Sequence, residues 1–210
     1  MGKRSLAGIA GIVAAATLLS KVFGLLRDAV IAASFGEGPI TDAYAIAYVI
    51  PGFLLVLLGG INGPFHSAIV SVVAKRKKED IASLVETVTT LIGVVLIVVT
   101  LLIGIFAPQI ITIFGQDANP ATQAIAVAQL RIMAPITVFA AFIGIGFGTL
   151  NAADQYWLPS VSPLLSSSAV IVALGAFWLF SGGDISDPQV AITGGVVLAA
   201  GALGGAILQW

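Results

Sequence analysis

Charge is the scarcest material in this sequence: 9 Lys and Arg and 10 Asp and Glu among 210 residues, 9% in all. A soluble domain carries about 25% charged residues and cannot cover its surface with so few. Cysteine is absent, which excludes disulfides, thiolate metal sites and thiol catalysis. A single histidine leaves little for metal chemistry, so no metal site is expected. The net charge of -1 gives no whole-chain pull toward polyanions, and no nucleic-acid partner is expected. What is abundant is apolar: 59% hydrophobic residues and a mean hydropathy of +1.10. Soluble enzymes and disordered tails are excluded on this composition. At about 20 residues per spanning helix, the length accommodates roughly six crossings. The chain reads as a polytopic, all-α membrane protein.

Turn residues divide it into helices expected at about 5–34, 42–58, 81–106, 122–150, 160–180 and 189–210. The second opens after Thr41, an expected N-cap, with Asp42 also placed to cap it. After it, Gly59-Gly60-Ile61-Asn62-Gly63-Pro64 breaks the apolar run. Such a stretch cannot hold a straight helix. Pro64 is suited to open a short helix over 64–78. The break either lines a transport cavity or lies at the cytoplasmic interface before a short amphipathic helix. No cleavable signal peptide is expected, because the apolar pattern runs on past Leu19. The abrupt end at Trp210 reads as a fragment or as a chain lacking a partner segment.

Orientation follows the Lys/Arg bias. Lys3 and Arg4 precede the first helix, and Lys75, Arg76, Lys77 and Lys78 follow the second. The alternate gaps, 35–41, 108–121 and 181–188, carry no Lys or Arg. Both termini are therefore expected in the cytoplasm. The 75–78 cluster is mainly this topology signal, with membrane lipid as a further partner.

The first helix carries Lys21, Arg27 and Asp28. A charge at mid-bilayer costs ~2.5–3.5 kcal/mol on insertion scales, so such groups are functional hypotheses by default. At about 100° per residue, Thr17, Ser20, Lys21, Gly24, Arg27 and Asp28 share roughly a third of the circumference. Arg27 and Asp28 point about 100° apart, so a tight mutual salt bridge is not expected. Lys21 and Asp28 share a face but lie about 10 Å apart along the axis. At least one cation then needs another helix, a ligand or water, and arginine suits bidentate binding of phosphate or carboxylate. The competing role is an interhelical clamp, with Lys21 snorkelling to an interface.

Secondary candidates are Asp42, Asn62, His66 and Arg131. Arg131 is expected to snorkel at the outer end of the fourth segment. His66 is either a proton sensor or simply hydrogen-bonded at an interface. No phosphate loop, metal cluster or nucleophilic triad is present, so no catalytic residue, cofactor or enzymatic activity is expected. The glycines at Gly144–Gly148, Gly194-Gly195 and Gly201–Gly205 read as close helix packing.

Leu19-Ser20-Lys21-Val22-Phe23-Gly24-Leu25-Leu26-Arg27-Asp28-Ala29 resembles the first-helix signature of the MurJ/MviN family of lipid II flippases. Phe35-Gly36, Thr41-Asp42-Ala43-Tyr44 and Pro51 follow in the family's order, and Leu150-Asn151-Ala152 with Pro159 and Pro163 resembles its junction between fourth and fifth helices. The likeness spans essentially the whole chain and is most specific in its first 75 residues. It implies one lobe, over 1–210, of the multidrug/oligosaccharidyl-lipid/polysaccharide exporter fold. It also implies a plasma-membrane (inner-membrane) flippase that moves an undecaprenyl-pyrophosphate-linked peptidoglycan precursor by alternating access with a second lobe. Lys21, Arg27 and Asp28 match the family's charges that hold the pyrophosphate, and Asp42 its acidic position. Where the family commonly carries arginines after the second-helix proline, this chain has Gly52-Phe53-Leu54-Leu55-Val56. The alternatives are a drug or small-molecule exporter of the same superfamily, or a non-transporting partner or remnant lobe.

Overall fold

The structure is a computed structural model that describes residues 6–60, 63–75, 78–182 and 187–210. Among these residues every regular element is a helix: α1 (Leu6–Phe35), α2 (Pro39–Gly59), α3 (Pro64–Val73), α4 (Lys78–Ile105), α5 (Ala107–Phe114), α6 (Pro120–Met133), α7 (Ile136–Ala152), α8 (Trp157–Ser181) and α9 (Pro188–Gln209). The helices α1, α2, α4, α8 and α9 are long and apolar enough to cross a bilayer. Helices α6 and α7 make a further candidate as one span bent by 41°.

Several boundaries differ from the expected ones, each for a local reason. Helix α2 starts at Pro39, whose fixed φ suits the first turn. Its N-cap is Gly38, so neither Thr41 nor Asp42 caps it. The Thr41 hydroxyl instead donates to the Gly36 carbonyl at 2.8 Å. Asp42 remains in the first turn, where its carboxylate favours the positive helix end. The expected loop at 108–121 contains α5, because Pro108 fits a helix's first turn and Ile111 is buried. The single helix expected at 122–150 is bent between α6 and α7, where Pro135 has no N–H to continue the ladder. A neighbouring side chain serves the bend: the Thr100 hydroxyl of α4 donates to the Ala134 carbonyl at 3.4 Å. Helix α8 begins at Trp157, with Pro159 in its first turn, and α3 ends at Val73.

The turn at Gly36–Gly38 sets α1 and α2 apart. Helix α1 lies along α8, whereas α2 lies along α6 and α7, and the two touch each other only lightly. Helix α9 fills the space between α8 and α6. Ala43, Ala47, Ala126, Leu130, Met133, Leu174, Leu198 and Ala199 make a core in which small side chains let the backbones approach. The closest approach is α7 on the end of α2. A Cβ at Gly144 would run into the Leu58 carbonyl, and one at Gly59 would lie 2.8 Å from the Ala140 carbonyl.

Hydrogen bonds and side-chain contacts fix the two ends of the bundle. Ser34 with Trp178, Phe35 with Gly194, and Ile46 with Gly115 mark one end. His66 with Asn151, and Ser162 with the Gln209 carbonyl, mark the other. On the outside, Leu91, Val94, Val95, Val98, Leu101 and Leu102 of α4 are exposed, an apolar belt suited to lipid.

The α2–α7 crossing generates a paired test. Gly144→Ala overpacks it and should destabilise the chain by about 1–3 kcal/mol. Gly146→Ala, where nothing lies within 4 Å of the new Cβ, should be neutral or slightly stabilising. Thermal unfolding in detergent compares the two; equal effects would refute the crossing.

Candidate functional site

The site is built where α1 and α2 diverge. Ser20 of α1 donates to the Ser160 carbonyl in the first turn of α8 at 2.8 Å, and Trp178 near the other end of α8 donates to Ser34 at 3.0 Å. The two helices therefore run parallel. Lys21, next to Ser20, lies level with the start of α8, close to one end of the bundle. Arg27 lies about 10 Å further along the axis, near half the length of α8.

Arg27 and Asp28 pair directly. Nε and Nη2 of Arg27 donate to the same carboxylate oxygen, Oδ1, at 3.0 and 2.8 Å. This corrects the expectation that adjacent residues 100° apart would not bridge. The three-carbon arginine stem bends around the helix, and no other carboxylate pairs with Arg27 among the described residues. The Arg27 side chain is 31% exposed and that of Asp28 60% exposed, so the carboxylate is the more open partner. A guanidinium has five N–H donors. The pair uses two, leaving both on Nη1 and one on Nη2.

Sequence reasoning missed the other wall. Tyr44 and Tyr48 of α2 lie within electrostatic reach of Arg27 and Asp28. Their rings stack at 5.5 Å with an interplanar angle of 21°. A Cβ at Gly52 would meet the Tyr48 ring at 2.7 Å, so the ring lies flat over the α2 backbone. The available signal was a pair of phenols one turn apart, five and nine positions beyond the first residue of a helix facing a charged one. Beyond them α2 offers no cation: Val49, Phe53 and Val56 are exposed, Phe53 by 63% and Val56 by 70%.

The remaining candidates are dispersed. Lys21 is exposed and has no ion pair among the described residues. Asp42 lies exposed at the start of α2, and Asn62 falls outside the described residues. His66 is 4% exposed, and its Nε2 is 2.9 Å from Nδ2 of Asn151 on α7. Burial lowers its pKa from the ordinary 6.5 and so favours neutral imidazole, against a hydrogen bond to the Phe147 backbone that favours the charged form; the ring ties α3 to α7. Arg131 does not simply snorkel. Its Nε donates to the Gly104 carbonyl at 3.1 Å and so clamps α6 to the last turn of α4, where a cation suits the negative helix end. Among the described residues no cluster of His, Asp and Glu could hold a metal.

Comparisons with known proteins converge on one family. The family model of the lipid II flippase MurJ matches residues 31–210. A probable lipid II flippase MurJ of Synechocystis sp. is 58% identical over 208 residues, 99% of this chain and 39% of that protein. A probable lipid II flippase MurJ of Thermotoga maritima is 30% identical over 157 residues, 74% of this chain and 33% of that protein. A solved structure, a lipid II flippase MurJ in an inward closed conformation, superposes with a TM-score of 0.74 at 25% identity over 93% of this chain and 40% of that one. This chain thus spans roughly two-fifths or less of its relatives' length. With its apolar helices and charged, half-open α1–α2 face, the chain is a multi-pass membrane protein that belongs to the MurJ lipid II flippase family.

Proposed function

We propose that the chain is the first lobe of a lipid II flippase, and that Arg27 and Asp28 form its anion-exchanging centre. The observation that carries this is the ion pair itself. It sits about two-thirds of the way along the spanning helix α1, on a face that the rest of the chain leaves partly open. Two charges at such depth are costly to keep, and a carboxylate on one guanidinium edge is a replaceable ligand. The pyrophosphate of a lipid-linked substrate offers several oxygens for bidentate binding of the guanidinium, with more charge than the single carboxylate oxygen used by Asp28. Its arrival would draw the three spare N–H groups of Arg27 and loosen the exposed Asp28. Lys21, nearer the bundle end, would meet the anion on its way in or out.

A second lobe completes the proposal. Alternating access in such folds rocks one lobe against another around a site between them. One lobe alone would leave the Arg27–Asp28 face against lipid, and the relatives' greater length has room for the partner. No feature of the described residues favours the exporter of small molecules over this reading.

The orientation is proposed from charge. The end marked by Ser34, Ile46 and Gly194 carries Glu37, Asp42, Asp117 and Asp187, and no Lys or Arg lies in the turns there. The other end carries Lys75 after α3. Lys/Arg bias places that second end, and both termini, in the cytoplasm of a plasma-membrane protein.

Two tests follow from these assignments. Cysteines at Glu37 and Asp117 should react with impermeant thiol reagents from outside intact cells, and one at Lys75 should not; outside labelling at Lys75 would reverse the orientation. In liposomes, the 210-residue chain alone should not move fluorescent lipid II, whereas the chain joined to a matching second lobe should. Arg27→Ala in that assembly should cut the rate at least tenfold, with Arg27→Lys restoring part of it. Normal transport by Arg27→Ala would remove Arg27 from the mechanism.

A further inference from the structure

The Arg27–Asp28 pair has no net charge, which poses a problem for any diphosphate ligand. A guanidinium whose charge is already matched by a carboxylate attracts a multivalent anion weakly. Helix α2, the facing wall, contains no Lys or Arg anywhere from Pro39 to Gly59. The donors must therefore be neutral or come from elsewhere. Tyr44 and Tyr48 are placed to supply them. By helix rise, Arg27 lies about 12 Å before the end of α1, and Tyr44 and Tyr48 lie about 7 and 13 Å beyond the start of α2. Across the short turn at Gly36–Gly38, the two phenols therefore bracket the guanidinium in depth. Both rings are partly buried and stacked, so their positions are held by packing rather than by their hydroxyls. Neither phenol has a hydrogen-bond partner among the described residues. Gly52 contributes the room: any side chain there would collide with the Tyr48 ring and push it off the helix.

We propose that the hydroxyls of Tyr44 and Tyr48, with the spare N–H groups of Arg27, form a diphosphate-binding subsite in which the two phenols, one turn apart, serve neighbouring phosphates. The inference rests on Arg27 holding the substrate's anion, and adds that this lobe recognises a diphosphate through neutral donors on α2. Phenol O–H groups donate to phosphate oxygens without adding charge to the membrane, so the empty site carries no excess cation. Two donors at a fixed spacing also distinguish a diphosphate from a monophosphate, which one arginine alone does weakly.

The test is calorimetric titration of the chain in zwitterionic nanodiscs with inorganic pyrophosphate and, separately, inorganic phosphate. Tyr44→Phe and Tyr48→Phe keep the rings and their stacking, so thermal stability should be unchanged. Each should weaken pyrophosphate binding about tenfold, the size of one hydrogen bond to a charged group. Phosphate binding should fall by less, so the preference for pyrophosphate shrinks. If the double Phe variant binds pyrophosphate normally while Arg27→Ala does not, the phenols are packing groups and the subsite is refuted, with the role of Arg27 intact. An equal loss for both anions would also refute it, since that is the mark of general damage. If Arg27→Ala binds pyrophosphate normally as well, the subsite and the anion role of Arg27 fall together.

Discussion

One ion pair at half depth in an apolar bundle organises everything else here. Arg27 and Asp28 cannot be left to lipid without a cost of several kcal/mol, and sealed in the core they could not serve the anion exchange proposed for them. The fold resolves this by letting α1 and α2 part after a tight turn. Helix α1 is held along α8 by Ser20 and Ser34, while α2 is drawn away onto α6 and α7. The resulting face is partly open at Arg27 and more open at Asp28.

That separation depends on backbone proximity elsewhere. Helix α2 can follow α7 because Gly144 and Gly59 let main chains meet at the crossing. Arg131 ties α6 to the end of α4 and Thr100 serves the carbonyl at the proline bend, so the wall that carries α2 is braced by side chains rather than by loops. At the other end, His66 and Asn151 fix the short α3 against α7. Among the described residues, Ser20, Thr100, Gln129, Arg131, Ser162 and Trp178 also hydrogen-bond to a different helix. Arg27 and Asp28 instead form an ion pair along one helix.

Much of this was legible in the sequence. Hydropathy and turn residues mark the spanning segments, because a bilayer demands long apolar helices with satisfied backbones. Helical periodicity brings Lys21, Arg27 and Asp28 to one sector, and the first-helix signature points to the family. The ion pair was not legible, because an angle between adjacent Cα–Cβ directions ignores the reach of an arginine stem. Helix α5 and the bend at Pro135 were hidden within apolar continuity, since hydropathy does not register a change of direction. Arg131 looked like a snorkelling residue because its acceptor, the Gly104 carbonyl, is 27 positions away in sequence. Tyr44 stood inside a family motif without a visible chemical role, and Tyr48 lay one turn beyond it; only the packing of α2 across from α1 shows what their rings face.

The central claim is that Asp28 occupies the place of the ligand's anion on Arg27. The most direct measurement is the affinity of an Asp28→Asn variant for inorganic pyrophosphate, compared with the unsubstituted chain in the same nanodiscs. Asparagine retains the size of the side chain but removes the competing charge. Binding several-fold tighter than in the unsubstituted chain is the predicted result. Unchanged or weaker binding would show that the carboxylate is no competitor for Arg27, and would contradict the exchange on which the proposed mechanism stands.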